Sequence, residues 1–289
     1  MNNVLVVYKK STFELYGSSP DENTRQYVQK NYDSLKTSHD SQKKTLEFVV
    51  NDLNNRGIKN EVFYRAHLGE LSGELKKLEG YDLVISIGGD GTLLELSHYI
   101  NETPVLGVNS DIGGSFGYFS IANSENFGYI MDNIYNIKRT KLNRLEIMLN
   151  GEVLPEFVLN DVLIAHSSPA ASTRFKLCDN GKHEVFRKNS GILISTAAGS
   201  TAFMYEENGD VQPLDFDGLM YHIRSNRKEH DVFRFTDELE IESDTRDAKL
   251  WIDGDHVKYN FTLGYKAKIY KGATMELVGD LQEKRKYFK

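Results

Sequence analysis

Two rhythms of apolar and polar residues divide this chain. Up to about residue 122, short apolar runs alternate with stretches of helical spacing. Residues 4–8, 82–87 and 104–109 are nearly unbroken apolar runs, which fits strands buried on both faces of a parallel sheet. Between them Leu46, Val49, Val50 and Leu53 recur at helical spacing, with Gly57 as a stop signal. Val62-Phe63 predicts a second strand and residues 71–78 a short helix, and a leucine-rich helix starts at Thr92. Residues 22–40 are polar with scattered tyrosines, and they predict a long loop or weak helix, a candidate flap. Beyond residue 122 a short helix over 127–134 leads into alternating strands at 144–149, 158–165, 175–178, 184–186, 192–195, 239–241, 250–252 and 265–270. Asp179-Asn180-Gly181 reads as a hairpin turn within this series. The pattern predicts an α/β N-terminal domain with a parallel sheet over 1–122 and a C-terminal all-β sandwich-like domain over 123–270. Residues 271–289 are expected to return to the first domain.

Composition narrows the function classes. The chain has 289 residues, 39% of them apolar and 27% charged, enough for two modest domains with real cores. A net charge of −7 argues against sequence-independent nucleic-acid binding, which needs a basic face. No apolar run reaches membrane-spanning length, and the start at Met1-Asn2-Asn3-Val4 lacks the basic-then-apolar layout of a secretory signal. The expectation is a cytoplasmic enzyme with no nucleic-acid or membrane partner. Cys178 stands alone, so an internal disulfide is ruled out. His98, His166, His183, His222, His230 and His256 show no metal-ligand spacing.

Four stretches carry candidate chemistry. Gly88-Gly89-Asp90-Gly91-Thr92 joins an apolar strand to a helix, where bare backbone N–H groups suit a phosphate chain and Asp90 sits where phosphate chemistry would occur. An ordinary strand–turn–helix corner, with Asp90 as a cap, has the same local signature. Near the start of the chain Lys10 follows the first strand, where it is either a solvated strand end, the reading its position favours, or a phosphate contact. Asn109 and the glycine-rich exit through Gly113-Gly114 to Tyr118 would wall a cleft or form a plain crossover. Asn160-Asp161 places two polar side chains inside an apolar run, where ribose hydroxyls, an adenine edge or neighbouring backbone would satisfy them. The run from Ser190 to Phe203 ends in a small-residue loop. There Ser200 and Thr201 offer hydroxyls to a base or phosphate, Ala202 is small and Phe203 can stack on a ring. Ordinary Ser/Thr capping explains that loop equally well.

Taken in order, Gly88-Gly89-Asp90-Gly91-Thr92, Gly107-Val108-Asn109, Asn160-Asp161, Gly199-Ser200-Thr201-Ala202-Phe203 and Trp251-Ile252-Asp253-Gly254 resemble the NAD kinase family over most of the chain. The resemblance implies ATP as donor, a divalent metal such as Mg2+, NAD or NADH as acceptor, and a homodimer or homotetramer. It implies Asp90 as the catalytic aspartate, which takes the proton of the 2′-hydroxyl as that oxygen attacks. It implies Gly88, Gly89, Gly91 and Thr92 at the ATP phosphates. Asn109, Tyr118, Asn160, Asp161, Ser190, Ser200, Thr201, Ala202 and Phe203 would bind the dinucleotide. Asp161 stands for a longer glutamate, and Phe203 for a tyrosine. Ser190 replaces an aspartate that many members place toward the nicotinamide. Such a carboxylate favours the cationic oxidised ring, so Ser190 predicts that NADH is a usable substrate. The pattern is closest to the diverged mitochondrial and plant branch. A lipid kinase of the diacylglycerol or sphingosine type and a catalytically weak NAD(P)-binding sensor are the competing readings.

Overall fold

Val4–Val7 are entirely apolar and buried, and their side chains alternate between two covered faces of a sheet. The computed structural model describes residues 1–68, 80–226 and 232–288. They form two units. The first comprises residues 1–140 and 276–281, and the second holds the rest.

In the first unit β1 (Asn3–Tyr8), β2 (Lys59–Tyr64), β3 (Leu83–Gly88) and β4 (Val105–Asn109) pair in parallel in the order β2-β1-β3-β4. β5 (Ser120–Asn123) pairs in parallel with the later half of β4. The returning strand Met275–Val278 pairs with its start, and β6 (Arg139–Leu142) follows. Val4, Val6, Leu83, Ile85, Leu106 and Val108 meet Val49 and Leu53 of one helix and Phe127, Ile130 and Met131 of another. The unit therefore runs past residue 122 to Thr140, because these 127–131 side chains belong to its core. Of the segment expected to return, only residues 276–281 rejoin this unit.

The stretch over 22–40 is helical, the second of the two readings its pattern allowed. Short α1 (Thr12–Tyr16) precedes α2 (Glu22–Lys30) and the 24-residue α3 (Tyr32–Asn55). Asp21 caps α2 by accepting the Thr24 N–H at 2.7 Å. Only the later half of α3, through Thr45, Val49 and Leu53, is buried. That anchored half extends outward through i,i+4 pairs such as Lys36 with Asp40, and Phe13 packs edge-on against Tyr32. α4 (Asp90–Ser97) and α5 (Phe127–Asp132) complete this unit. The helix expected over 71–78 and His230 lie outside the described residues.

The second unit is a pair of six-stranded antiparallel sheets. One orders β11 (Lys182–Asn189), β10 (Thr173–Asp179), β15 (Glu238–Ser243), β18 (Lys266–Lys271), β7 (Leu145–Leu149) and β8 (Glu152–Val153). The other orders β14 (Phe233–Thr236), β13 (Leu219–Ile223), β12 (Ile192–Ser195), β9 (Asp161–His166), β16 (Ala248–Ile252) and β17 (Val257–Asn260). Alternate residues of both sheets, Ile147, Phe175, Ile241 and Ile269 against Val162, Ile192, Tyr221 and Leu250, share one core, so the sandwich expectation holds. At the Asp179-Asn180-Gly181 turn, φ is +49° at Asn180 and +78° at Gly181, as a type I′ hairpin requires. On the outer face of the second sheet Leu193 and Met220 pack against Met204 of α6 (Phe203–Glu206). α7 (Gln282–Arg285) also belongs to this unit.

Candidate functional site

In the first unit the buried strand β3 ends in the glycine turn, and α4 starts at Asp90 with Gly89 as its N-cap. A Cβ on Gly88 would overlap the Thr92 hydroxyl, so only glycine fits there. Thr92 is 1% exposed, and its Oγ1 has no hydrogen-bond partner in the protein. Buried hydroxyls are normally satisfied, so this one is free for a ligand oxygen. Asp90 is half-buried, and its two carboxylate oxygens accept the backbone N–H groups of Tyr118 and Phe119, each at 2.9 Å. The loop that supplies those amides is shaped by Asn109. Its Oδ1 accepts the Asp111 N–H at 3.0 Å and its Nδ2 donates to Ser115 O at 2.9 Å. Tyr118 is buried edge-to-face on Phe119. Asn109 and Tyr118 thus brace the loop that holds Asp90.

Two cations flank this turn, and sequence reasoning had assigned neither. Lys9 is packed beside Gly88, and burial together with Arg65 pushes its ammonium pKa down, while Asp111 pulls it up. Arg65 pairs with Glu95 at 3.1 Å, and a Cβ on Gly91 would lie 3.8 Å from its Nη1. Burial pushes the Glu95 carboxyl up, opposed by Arg65 and His98. Lys10, the lysine singled out from sequence, instead lies over the Tyr64 ring with Glu14 at 3.9 Å.

In the second unit the Asn160-Asp161 segment runs into β9 and is clamped from two sides. On one side Asp253 accepts the N–H groups of Leu159, Asn160 and Asp161 at 2.8, 2.7 and 2.8 Å. On the other, the Thr196 N–H donates to Asn160 O at 2.9 Å and the Thr196 hydroxyl to Leu159 O at 2.5 Å. Gly199 packs so tightly on this segment that a Cβ would overlap the Asn160 carbonyl. Asn160 is 7% exposed, and its Oδ1 has no hydrogen-bond partner in the protein. Burial, with the Asp253 charge adding, pushes the Asp161 carboxyl up to about 8.

The loop after β12 brings Ser200, Thr201, Ala202 and Phe203 into the same unit, with unequal roles. Thr201, Ala202 and Phe203 are half-buried, and the Arg224 guanidinium lies 4.9 Å from the Phe203 ring centre. Ser200 is fully buried. Its hydroxyl donates to Ala197 O at 2.7 Å and accepts from Gln212 N–H and Arg285 Nη2, each at 2.9 Å. It holds the loop, and the expected contact to a ligand has no free bonding direction to use. Arg285, missed by sequence reading because it lies 85 residues from Ser200, also donates to the carbonyls of Ala197 and Gln212. Ser190 is exposed at the opposite end of β12, in a turn where its N–H donates to Arg224 O at 2.9 Å. Among the described residues no group of three or more His, Cys, Asp and Glu side chains is placed to hold a metal ion. No helix among them is long and apolar enough to cross a membrane.

A family model for the ATP-NAD kinase N-terminal domain matches residues 6–139. A probable NADH kinase of Oryza sativa subsp. japonica is 34% identical over 230 residues, which cover 69% of this chain and 68% of the rice protein. The NADH kinase of Arabidopsis thaliana is 33% identical over 214 residues, covering 63% and 68%. An NAD kinase of Clostridium beijerinckii is 26% identical over 266 residues, covering 86% and 89%. Two solved structures share the fold. An NAD kinase from Archaeoglobus fulgidus in complex with ATP matches with a TM-score of 0.67 at 16% identity, covering 99% of this chain and 96% of that one. Yeast NADH kinase complexed with NADH matches with a TM-score of 0.68 at 16% identity, covering 97% and 84%.

Proposed function

The chain belongs to the NAD kinase family, and from that premise we propose that it moves the γ-phosphoryl group of ATP to the 2′-hydroxyl of the adenosine ribose of NAD and of NADH. The observation that carries the mechanism is the Asp90 carboxylate, held at the glycine turn by two backbone amides. Each carboxylate oxygen can accept a second hydrogen bond, so an acceptor position remains for the attacking hydroxyl. Asp90 takes that proton as the oxygen attacks phosphorus, and its fixed position limits the reorganisation the step requires. The turn amides, the Thr92 hydroxyl and the cations Lys9 and Arg65 suit the donor's phosphates and the charge that develops on them.

The donor set fits a metal that arrives with the nucleotide. No ready-made cluster of ligands exists among the described residues, and Mg2+ ordinarily binds through substrate phosphates and one or two carboxylates. Asp90 is the carboxylate at the turn that would help hold such an ion, which would supply neutralisation of the triphosphate's charge. The second unit offers Asn160, Asp161, Thr201, Ala202 and Phe203 to the acceptor dinucleotide. Asn160 Oδ1 supplies an unfilled acceptor for an amine or hydroxyl.

NADH is an acceptor because Ser190 puts no negative charge where many members carry one. Steady-state kinetics with both forms tests this, and a preference for NAD above about a hundredfold, worth roughly 2.7 kcal/mol, would overturn it. Asp90→Asn tests the mechanism: turnover falls about 10²–10⁴-fold while both nucleotides still bind. A homodimer or homotetramer in the cytoplasm is the assembly and location we propose, and light scattering on the purified protein checks the first.

A further inference from the structure

Among the described residues of the second unit Asn160 has the buried side-chain acceptor left without a partner, yet nothing in its own side chain fixes where that acceptor points. Its backbone does. The Asp253 carboxylate collects three consecutive N–H groups, those of Leu159, Asn160 and Asp161. The Asp253 N–H returns a bond to Asp161 O at 2.9 Å. Asp253 stands at φ +49° at the start of the β16–β17 turn, with Gly254 after it at φ +118°, a left-handed pair that aspartate and glycine readily adopt. Opposite, Thr196 and Gly199 press on the same peptide units. Asp253 is 7% exposed, and its carboxylate oxygens are turned to the backbone N–H groups of the segment that carries Asn160. Its charge is felt by the buried Arg144, whose guanidinium stacks over the Phe157 ring at 4.0 Å.

We propose that Asp253 is a positioning residue for the dinucleotide site: through three backbone hydrogen bonds it aims the Asn160 side chain, and it touches no substrate itself. This rests on the reading of the second unit as the acceptor site. Three amide donors converging on one carboxylate fix the segment better than any neutral residue can. An asparagine at 253 would turn a donor toward at least one of those N–H groups and leave it facing another donor.

The test is a double-mutant cycle on the full chain, with Michaelis constants for NAD and ATP and a thermal unfolding midpoint for each variant. Asp253→Asn should raise the KM for NAD at least about tenfold and leave that for ATP within about twofold. Asn160→Ala should do the same. In the Asn160→Ala background Asp253→Asn should add less than about twofold, because the side chain it aims is gone. Should Asp253→Asn fail to fold, Asp253→Glu keeps the charge while displacing the acceptors by one methylene, and it should show the same NAD-selective rise. The inference is overturned if the two substitutions multiply in full, if both Michaelis constants rise together, or if NAD binding is untouched in a folded variant. A wild-type protein that phosphorylates no NAD would sink the proposed function instead.

Discussion

The two units each contain a carboxylate that accepts consecutive backbone amides, and the difference between the two separates a reactive group from a scaffold. Asp90 takes two N–H groups and stays half-buried at the head of a helix, with bonding capacity left over. Asp253 takes three, all from one segment of the chain, and is only 7% exposed. The same bond therefore serves opposite ends. In one unit it steadies a carboxylate for chemistry, and in the other the carboxylate steadies the backbone for recognition.

That contrast can be broken or sharpened by experiment. The largest effect belongs to Asp90→Asn, where kcat should fall by about 10²–10⁴ with KM for NAD nearly unchanged, the reverse of the pattern expected at Asp253. If kcat survives, the half-buried carboxylate is no more reactive than the buried one. Next comes Gly199→Ala. Its methyl group must push the Asn160 carbonyl aside, which should cost about 1–3 kcal/mol of stability in urea titrations and raise the KM for NAD. A loss of similar size, on the order of 1–3 kcal/mol but with little change in kcat or in the KM for NAD, is expected of Arg285→Met, which leaves the carbonyls of Ala197 and Gln212 without that donor.

Asp161 gives a pH signature to the second unit alone. Its folded carboxyl sits at about 8 because burial, aided by Asp253, disfavours the charge. Between roughly pH 4 and that value the folded chain keeps a proton that the unfolded chain has released. Stability therefore falls as pH rises through this window. Asp161→Asn should flatten the dependence, read as converging denaturant midpoints at about pH 5 and about pH 9. The smallest change is Ser190→Asp, which should shift preference toward NAD over NADH by about threefold to tenfold, or roughly 0.6–1.4 kcal/mol, as expected of an exposed charge.

The features legible in the sequence were those with a local cause. The glycine turn, the apolar strands β1, β3 and β4, and the Asn180-Gly181 hairpin all announce themselves within a few residues. Over 22–40 the sequence does not separate helix from loop, because the helices' stability comes from the Asp21 cap, charge pairs and the anchored end of α3 rather than from an apolar period. The first boundary was placed at 122 because the change of texture there marks a change of strand style, whereas Phe127, Ile130 and Met131 still fill the parallel sheet's core. The roles of Ser200 and Asp253 were hidden for another reason. A hydroxyl or carboxylate reads the same whether it serves a ligand or the backbone, and only Arg285 and the amides of 159–161 decide.

The first unit borrows its strand Met275–Val278 from the far end of the chain, beside the start of β4. During synthesis, then, the leading 140 residues leave the ribosome with a sheet still missing a member, and more than a hundred further residues must be made before that gap closes. A nascent chain in that condition displays an open strand edge, an invitation to mispairing until the late strand arrives.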